Sequence, residues 1–312
     1  MQLVIVMILI SFFSFTVIYL APGDVSAMYI TMDMTEEQQA AVKADLGLDK
    51  SMPQQYLSWA KRAVQGDFGV SLANKSSVMP QLLKRLPATL LLMGSSLILS
   101  VILAIPLGLW AGYKKNSWID NIISGISYIG MSIPSFFLGM MLIIIFTAKL
   151  HILPSSGMHT VGMNTVGDTI RHMIMPCVTL SLGNLAIFIR YIRSNTIGQL
   201  SEEYVLASRA KGTSGWKILQ KHVLKNTLLP IITLLGMNMA TVVCGSFIIE
   251  SVFGWPGIGT LAMSAIGTRD YPMIMAYVMM SGFILVIGNF VADILYAFAD
   301  PRIKRGLDNF HG

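Results

Sequence analysis

Residues 88–111 read ATLLLMGSSLILSVILAIPLGLWA, an unbroken apolar run without one ionisable side chain. Wound as a helix rising about 1.5 Å per residue, such a run is long enough to cross the roughly 30 Å hydrocarbon core of a bilayer. Five further runs are long and predominantly apolar: Leu3–Leu20, Ile122–Ala148, Met173–Ile189, Leu228–Ile249 and Met273–Ala299. The run at Met173 is the shortest of these, with Pro176 near its start. Over the whole chain 54% of residues are apolar and only 12% charged, whereas an average soluble domain is about a quarter charged. A water-soluble fold with so few charges has nothing with which to cover that much apolar surface. The expected fold class is therefore an all-α integral membrane protein with six transmembrane helices.

Loop charges orient the runs. Lys114 and Lys115 follow the second run. Arg190, Arg193, Arg209, Lys211, Lys217, Lys221 and Lys225 lie between the fourth and fifth, and Arg302, Lys304 and Arg305 follow the sixth. The short loops on the other side contribute Lys149, Arg171 and Arg269. Cytoplasmic loops carry the excess of lysine and arginine, so both termini and the Arg190–Lys225 segment are expected in the cytoplasm. The chain then divides into a first transmembrane helix over 1–20, an external segment over 21–87 and a membrane domain over 88–312. Gathered in loops between apolar runs, the net charge of +6 reads as membrane topology, and no nucleic-acid partner is expected. No basic stretch precedes the first run, and Tyr19-Leu20-Ala21-Pro22-Gly23-Asp24 makes a poor cleavage site, so that run reads as a retained span, not a secretory signal.

The external segment is the part that resembles ordinary soluble protein. Thr35 to Lys43 has the acidic first turn of a short helix, and Gln54 to Val64 fits a second, amphipathic one. At about 60 residues it suits a small cap better than an independent enzyme domain.

Several chemistries are missing from the sequence. It contains no G-x-x-x-x-G-K-[ST] phosphate loop, no H-E-x-x-H and no G-x-S-x-G. No catalytic residues are expected, and no cofactor on this chain. His151, His159 and His172 fall in or beside one external loop without ligand spacing, so a metal site is not expected. The 22 methionines lie mostly in apolar runs, where Met fills space. Cys177 and Cys244 both sit inside apolar runs and read as packing residues.

The segment between the fourth and fifth runs is the informative one. Glu203-Tyr204-Val205-Leu206-Ala207-Ser208-Arg209-Ala210-Lys211-Gly212 is a run of helix formers ending on glycine. A second run, Gly215 to Asn226, carries Trp216, Leu219 and Val223 at i, i+3 and i+7 with Lys217, Lys221 and Lys225 on other faces. Two readings fit: a basic helix lying on anionic lipid, or a docking element for a cytoplasmic partner. Periodicity does not choose between them.

Resemblance does. Ala207-Ser208-x-x-x-Gly212 resembles the coupling motif Glu-Ala-Ala-x-x-x-Gly of the permeases of ATP-binding-cassette importers. Arg209-Ala210-Lys211-Gly212, followed by His222, Asn226 and Leu229-Pro230, resembles the dipeptide, oligopeptide and nickel branch, first permease subunit type. Leu206 departs from the usual glutamate, and Ser208 from alanine. Further matches are Gly66-Asp67-Phe68-Gly69, Ser132-Ile133-Pro134-Ser135-Phe136, Phe253-Gly254-Trp255-Pro256-Gly257, Arg269-Asp270-Tyr271-Pro272 and Asp300-Pro301-Arg302-Ile303. The resemblance covers nearly the whole chain. The family often has a basic stretch before its first span, which Gln2-Leu3 does not supply.

The resemblance implies a type I importer permease fold, with coupling helices at about 203–226 seated in a cleft of a cytoplasmic ATPase. It implies that Ala207, Ser208, Arg209, Ala210, Lys211, Gly212 and Trp216 carry this contact. The implied partners are a homologous second permease subunit, two cytoplasmic ATPases that hold ATP and Mg, an extracytoplasmic substrate-binding protein and membrane lipid. The implied location is a bacterial or archaeal plasma membrane. Di- or oligopeptides are the expected cargo, with nickel or a metal chelate as the alternative. A secondary transporter without ATPases is a distant one, because no inverted repeat is visible. A membrane enzyme would need convergent catalytic residues.

Polar residues in the apolar runs are candidates for function, since lipid disfavours them. Asn289 and Asp293, four residues apart, share a helix face; they either line a pathway or lock the helix to a neighbour. Glu250, Arg269 and Asp270 fall at the external ends of their runs, where they either contact the binding protein or are simply solvated. Pro106, Pro134 and Pro176 are each expected to interrupt a span. Gly108 and Gly112 form a G-x-x-x-G that suits a close helix contact.

Overall fold

A computed structural model describes residues 2–21, 34–39, 50–227, 231, 235 and 247–299, with only the backbone for 292, 293 and 295–299. The chain is helical wherever it is regular. In order the helices are α1 (Gln2–Leu20), α2 (Met52–Val64), α3 (Val78–Tyr113), α4 (Trp118–Ser132) and α5 (Ser135–Leu142, continuing as a π-helix over Ile143–Lys149). They are followed by α6 (Val166–Leu200), α7 (Glu203–Ala210), α8 (Gly215–Ile218, continuing as a π-helix over Leu219–Val223), α9 (Ile258–Gly267) and α10 (Tyr271–Ala299). Residues 36–39, 224–227 and 247–252 are also helical. The one β-bridge among the described residues joins Val70 to Ser77.

Among the described residues four helices are long and apolar enough to cross a membrane: Leu3–Leu20, Val78–Tyr113, Val166–Leu200 and Tyr271–Val291. A fifth candidate is the pair α4 and α5, bent by 100°. The chain is thus a multi-pass membrane protein. The expected span Leu228–Ile249 lies almost wholly outside the described residues, as do Cys244, the 300–303 motif and the second half (40–43) of the helix expected at Thr35–Lys43.

The expected third span is not one straight helix. Ile133 is extended (φ −84, ψ 121) and Pro134 caps the next helix. A proline ring clashes with an α conformation at the residue before it and has no N–H to donate, so the rod breaks at Ser132–Pro134. Pro106 and Pro176, expected to interrupt their spans as well, instead lie inside helices that run on past them.

By packing, the chain forms two units: Met1–Pro87 with Gly257–Val286, and Ala88–Pro256 with Ile287–Gly312. In the first, Val78 and Leu82 bury against Ile258, Ala265, Met273 and Ala276. The amphipathic α2 lays aromatic rings on α1: Tyr56 meets Phe12 edge-on at 5.4 Å and Phe15 at 5.5 Å. Its hydroxyl lies 2.9 Å from Ser11 Oγ, a polar tie between the two helices. Val4, Ile5, Ile8, Leu9 and Phe13 of α1 are exposed, a surface suited to lipid. In the second unit, Leu92, Met175, Cys177, Ile249, Phe253 and Trp255 form one apolar cluster. Leu109, Phe188, Ile192, Val205, Ile218, Leu219 and Val223 belong to another, and this second cluster positions the candidate site.

Gly108 and Gly112 do face a neighbouring helix. A Cβ built on Gly108 would lie 2.6 Å from Ile192 Cβ, and one on Gly112 would lie 2.6 Å from Thr196 Cβ. The two hydrogens in place of side chains let the α3 and α6 backbones approach this closely.

Candidate functional site

The glycine-centred helix pair is built from its anchors outward. Val205 of α7 and Ile218, Leu219 and Val223 of α8 are at most 1% exposed and pack in the cluster shared with α3 and α6. Between them the chain must reverse. Lys211 caps α7, and Gly212 takes φ +78, a conformation that a side chain disfavours. Gly212 N donates to Arg209 O at 2.9 Å and Thr213 N to Ser208 O at 3.1 Å, the two bonds of a Schellman stop. Ser208 donates its hydroxyl proton to Tyr204 O at 2.7 Å, so its oxygen is left as an acceptor only.

Ser214 caps α8, and Gly215 follows in a tight place: a Cβ there would lie 2.1 Å from Tyr113 Oη. The Tyr113 ring at the end of α3 thus rests directly on the start of α8. Tyr204 ties the pair together from the other side. Its hydroxyl donates to Gln199 Oε1 at 2.7 Å and accepts from Asn226 Nδ2 at 3.3 Å, while His222 lies 6.4 Å away ring to ring. The sequence reading missed Tyr113 and Tyr204. A tyrosine at the end of an apolar run and another among helix formers were the available signals, and neither shows a partner without coordinates.

What remains outward is a continuous offer of side chains. Leu206 is 56% and Trp216 61% exposed, and Ala207, Arg209, Ala210, Lys211 and Gly212 are exposed with them. The expected stripe of Trp216, Leu219 and Val223 is therefore split: Leu219 and Val223 face inward with Ile218, and Trp216 faces out. Two large apolar side chains, Leu206 and Trp216, are thus left exposed on a pair whose inner residues are buried.

Of the other candidate residues, Glu250 and Asp270 are buried on partners within the chain. Glu250 is wholly buried and its Oε1 accepts from Thr89 Oγ1 at 2.6 Å. Asp270, 2% exposed, caps α10 and latches the turn before α3: Ser71 Oγ and Leu72 N (3.1 Å) donate to it. Neither carboxylate is solvated, the simpler of the two roles expected for them. Arg269 is exposed, at φ +55. Asn289 is exposed on α10, and the side chain of Asp293 lies outside the described residues. Trp255, also wholly buried, donates from Nε1 to Ala88 O at 2.9 Å.

Asp168 gathers two of the loop histidines. It accepts from Thr160 N and Oγ1, both at 2.7 Å, with His172 Nε2 at 3.7 Å and His159 Nδ1 at 3.8 Å. His172 Nδ1 faces the carbonyl oxygens of Ser156 and Gly157, which is a loop-holding arrangement. Among the described residues no group of three His, Cys, Asp or Glu side chains is arranged to hold a metal ion.

The pattern of the family described as "Binding-protein-dependent transport system inner membrane component" matches residues 104–305, and that of its N-terminal region matches residues 1–93. The chain belongs to this permease family. The permease is 38% identical over 297 residues to the oligopeptide transport system permease protein AppB of Bacillus subtilis, covering 95% of this chain and 94% of that one. It is 32% identical over 296 residues to the glutathione transport system permease protein GsiC of Escherichia coli K12, again covering 95% and 94%. Its fold is shared with a chain of the MetNI methionine ABC transporter in an inward facing conformation, at a TM-score of 0.57 and 19% identity, covering 71% of this chain and 97% of that one. The permease is thus the non-catalytic, membrane-spanning part of an importer, and the helix pair over Glu203–Val223 falls inside the matched region.

Proposed function

We propose that the permease passes di- or oligopeptides through the membrane, delivered by an extracytoplasmic binding protein and driven by two cytoplasmic ATPases that hold ATP and Mg. The observation that carries this reading is the outward face of the helix pair, Leu206, Ala207, Arg209 and Trp216, on a mount rooted among the membrane helices. A rigid mount transmits displacement, so closure of the ATPases on ATP would move the spans through it.

The rest of the assembly follows from the same reading. A homologous permease completes the pathway, with six spans in each chain, both termini cytoplasmic and the 21–87 segment external. Arg269 is the exposed residue of its group and the one offered to the binding protein, while Glu250 and Asp270 hold the shape of the external turns. Asn289 is exposed on α10 and suits either the pathway or the second permease.

Peptide cargo is supported by the oligopeptide and glutathione permeases among the relatives, both of which are named for peptides. The test compares uptake of a labelled oligopeptide and of radioactive nickel in cells with and without this permease. Loss of peptide uptake alone is expected. Loss of nickel uptake alone would overturn the cargo and leave the importer, and failure to co-purify with ATPase subunits would overturn the importer itself.

A further inference from the structure

The coupling face has a second anchorage, one not contained in its motif. Asp120, in the first turn of α4, is almost wholly buried: its side chain is 2% exposed. Arg193 of α6 grips it with both arms of the guanidinium, Nε on Oδ1 and Nη2 on Oδ2 at 2.7 Å. Two further donors complete the carboxylate's shell. Asn116 N reaches Oδ2 at 2.9 Å and Ser124 Oγ reaches Oδ1 at 3.3 Å. Asn116 adopts φ +63 to present that N–H. A single carboxylate thus holds α6, α4 and the turn from α3 to α4.

That turn begins at Tyr113, whose ring rests on Gly215 of the helix pair. Force entering at α8 therefore reaches α3 through Tyr113. It passes to α6 through the Gly108 and Gly112 contacts and to α4 through Asp120. Without the ion pair α4 keeps its apolar packing on α6, but its first turn and the turn from α3 lose the charged tie that fixes their geometry. A buried bidentate pair suits this task. It adds little net stability over a packed apolar pair, but it admits one geometry and leaves a costly unpaired charge if that geometry is lost.

We propose that Asp120 and Arg193 are positioning residues for transport: they make α3, α4 and α6 move as one body when the helix pair is displaced. The proposal rests on the importer reading above. It is tested in the whole transporter, reconstituted with its ATPases and binding protein, by measuring substrate transported per ATP hydrolysed.

Asp120→Asn keeps shape and loses charge, and Arg193→Lys keeps charge and loses the two-armed grip. Each is expected to assemble and to retain basal ATP hydrolysis. Each should lower transport per ATP about tenfold, the scale of losing a charge-assisted hydrogen bond. The exchange Asp120→Arg with Arg193→Asp is expected to recover part of that loss. An unchanged transport ratio in an assembled Asp120→Asn complex would overturn the proposal. So would loss of both single variants from the membrane without repair by the exchange, because the pair would then be a folding element only. Failure of the importer reading is distinguishable, since the unaltered complex would then show no ATP-dependent uptake.

Discussion

Gly112→Ala is the sharpest probe of how this membrane domain is packed. The added Cβ would lie 2.6 Å from Thr196 Cβ, 2.8 Å from its Cγ2 and 2.9 Å from Arg193 O, against ordinary contacts of 3.4–4 Å. One of those neighbours is backbone and another a branch-point carbon, so no rotamer change relieves the clash. The α3 and α6 helices must part by about 1 Å at this level, and interiors are too densely packed to absorb that. Overpacking of this kind destabilises by about 1–3 kcal/mol. In lipid the lost van der Waals contact is itself the main attraction between helices. The assay is the melting temperature of the purified protein in detergent, where a fall of several degrees is expected. A second variant checks the geometry: Thr196→Gly removes the opposing Cβ, so Gly112→Ala with Thr196→Gly should melt higher than Gly112→Ala alone. If Gly112→Ala melts with the parent protein, or if the double variant is no better than the single, the close approach of α3 and α6 is refuted.

Gly212→Pro should leave the protein in the membrane and abolish transport, because proline can neither adopt φ +78 nor donate to Arg209 O; normal uptake by this variant would refute a coupling role for the turn. Trp216→Ala removes a 61% exposed ring, so the melting temperature should hold while ATPase subunits are lost during purification, and full retention of those subunits would show that the ring anchors nothing. Asp270→Ala strips the acceptor from Ser71 Oγ and Leu72 N, which should destabilise the protein by about 1–3 kcal/mol, seen as a lower melting temperature; no change would mean that the latch is dispensable.

The apolar runs and the glycine pair were legible because each rests on a rule local in sequence. A run of about 20 apolar residues needs no partner to declare itself a span, and Gly108-x-x-x-Gly112 declares a face because four residues make about one turn. Pro134 was legible as a break for the same reason. Pro106 and Pro176 lie inside continuous helices, as a proline can where neighbouring groups satisfy the freed backbone, and the identity of those groups is not local. Leu219 and Val223 turn inward while Trp216 faces out, a division that the i, i+3, i+7 spacing alone does not show.

The sequence alone determined that this chain lives in a membrane, roughly where its apolar helices lie, and that the chain turns at Gly212. Composition, run length and a glycine that must take positive φ are properties of short stretches of chain. Tertiary structure decided which polar residues are spoken for. Glu250 and Asp270 are buried against Thr89 and Ser71, and Asp120 is gripped by Arg193, a partner far along the chain. The same carboxylate is solvated, catalytic or structural according to the donors that surround it, and only folding brings those donors together.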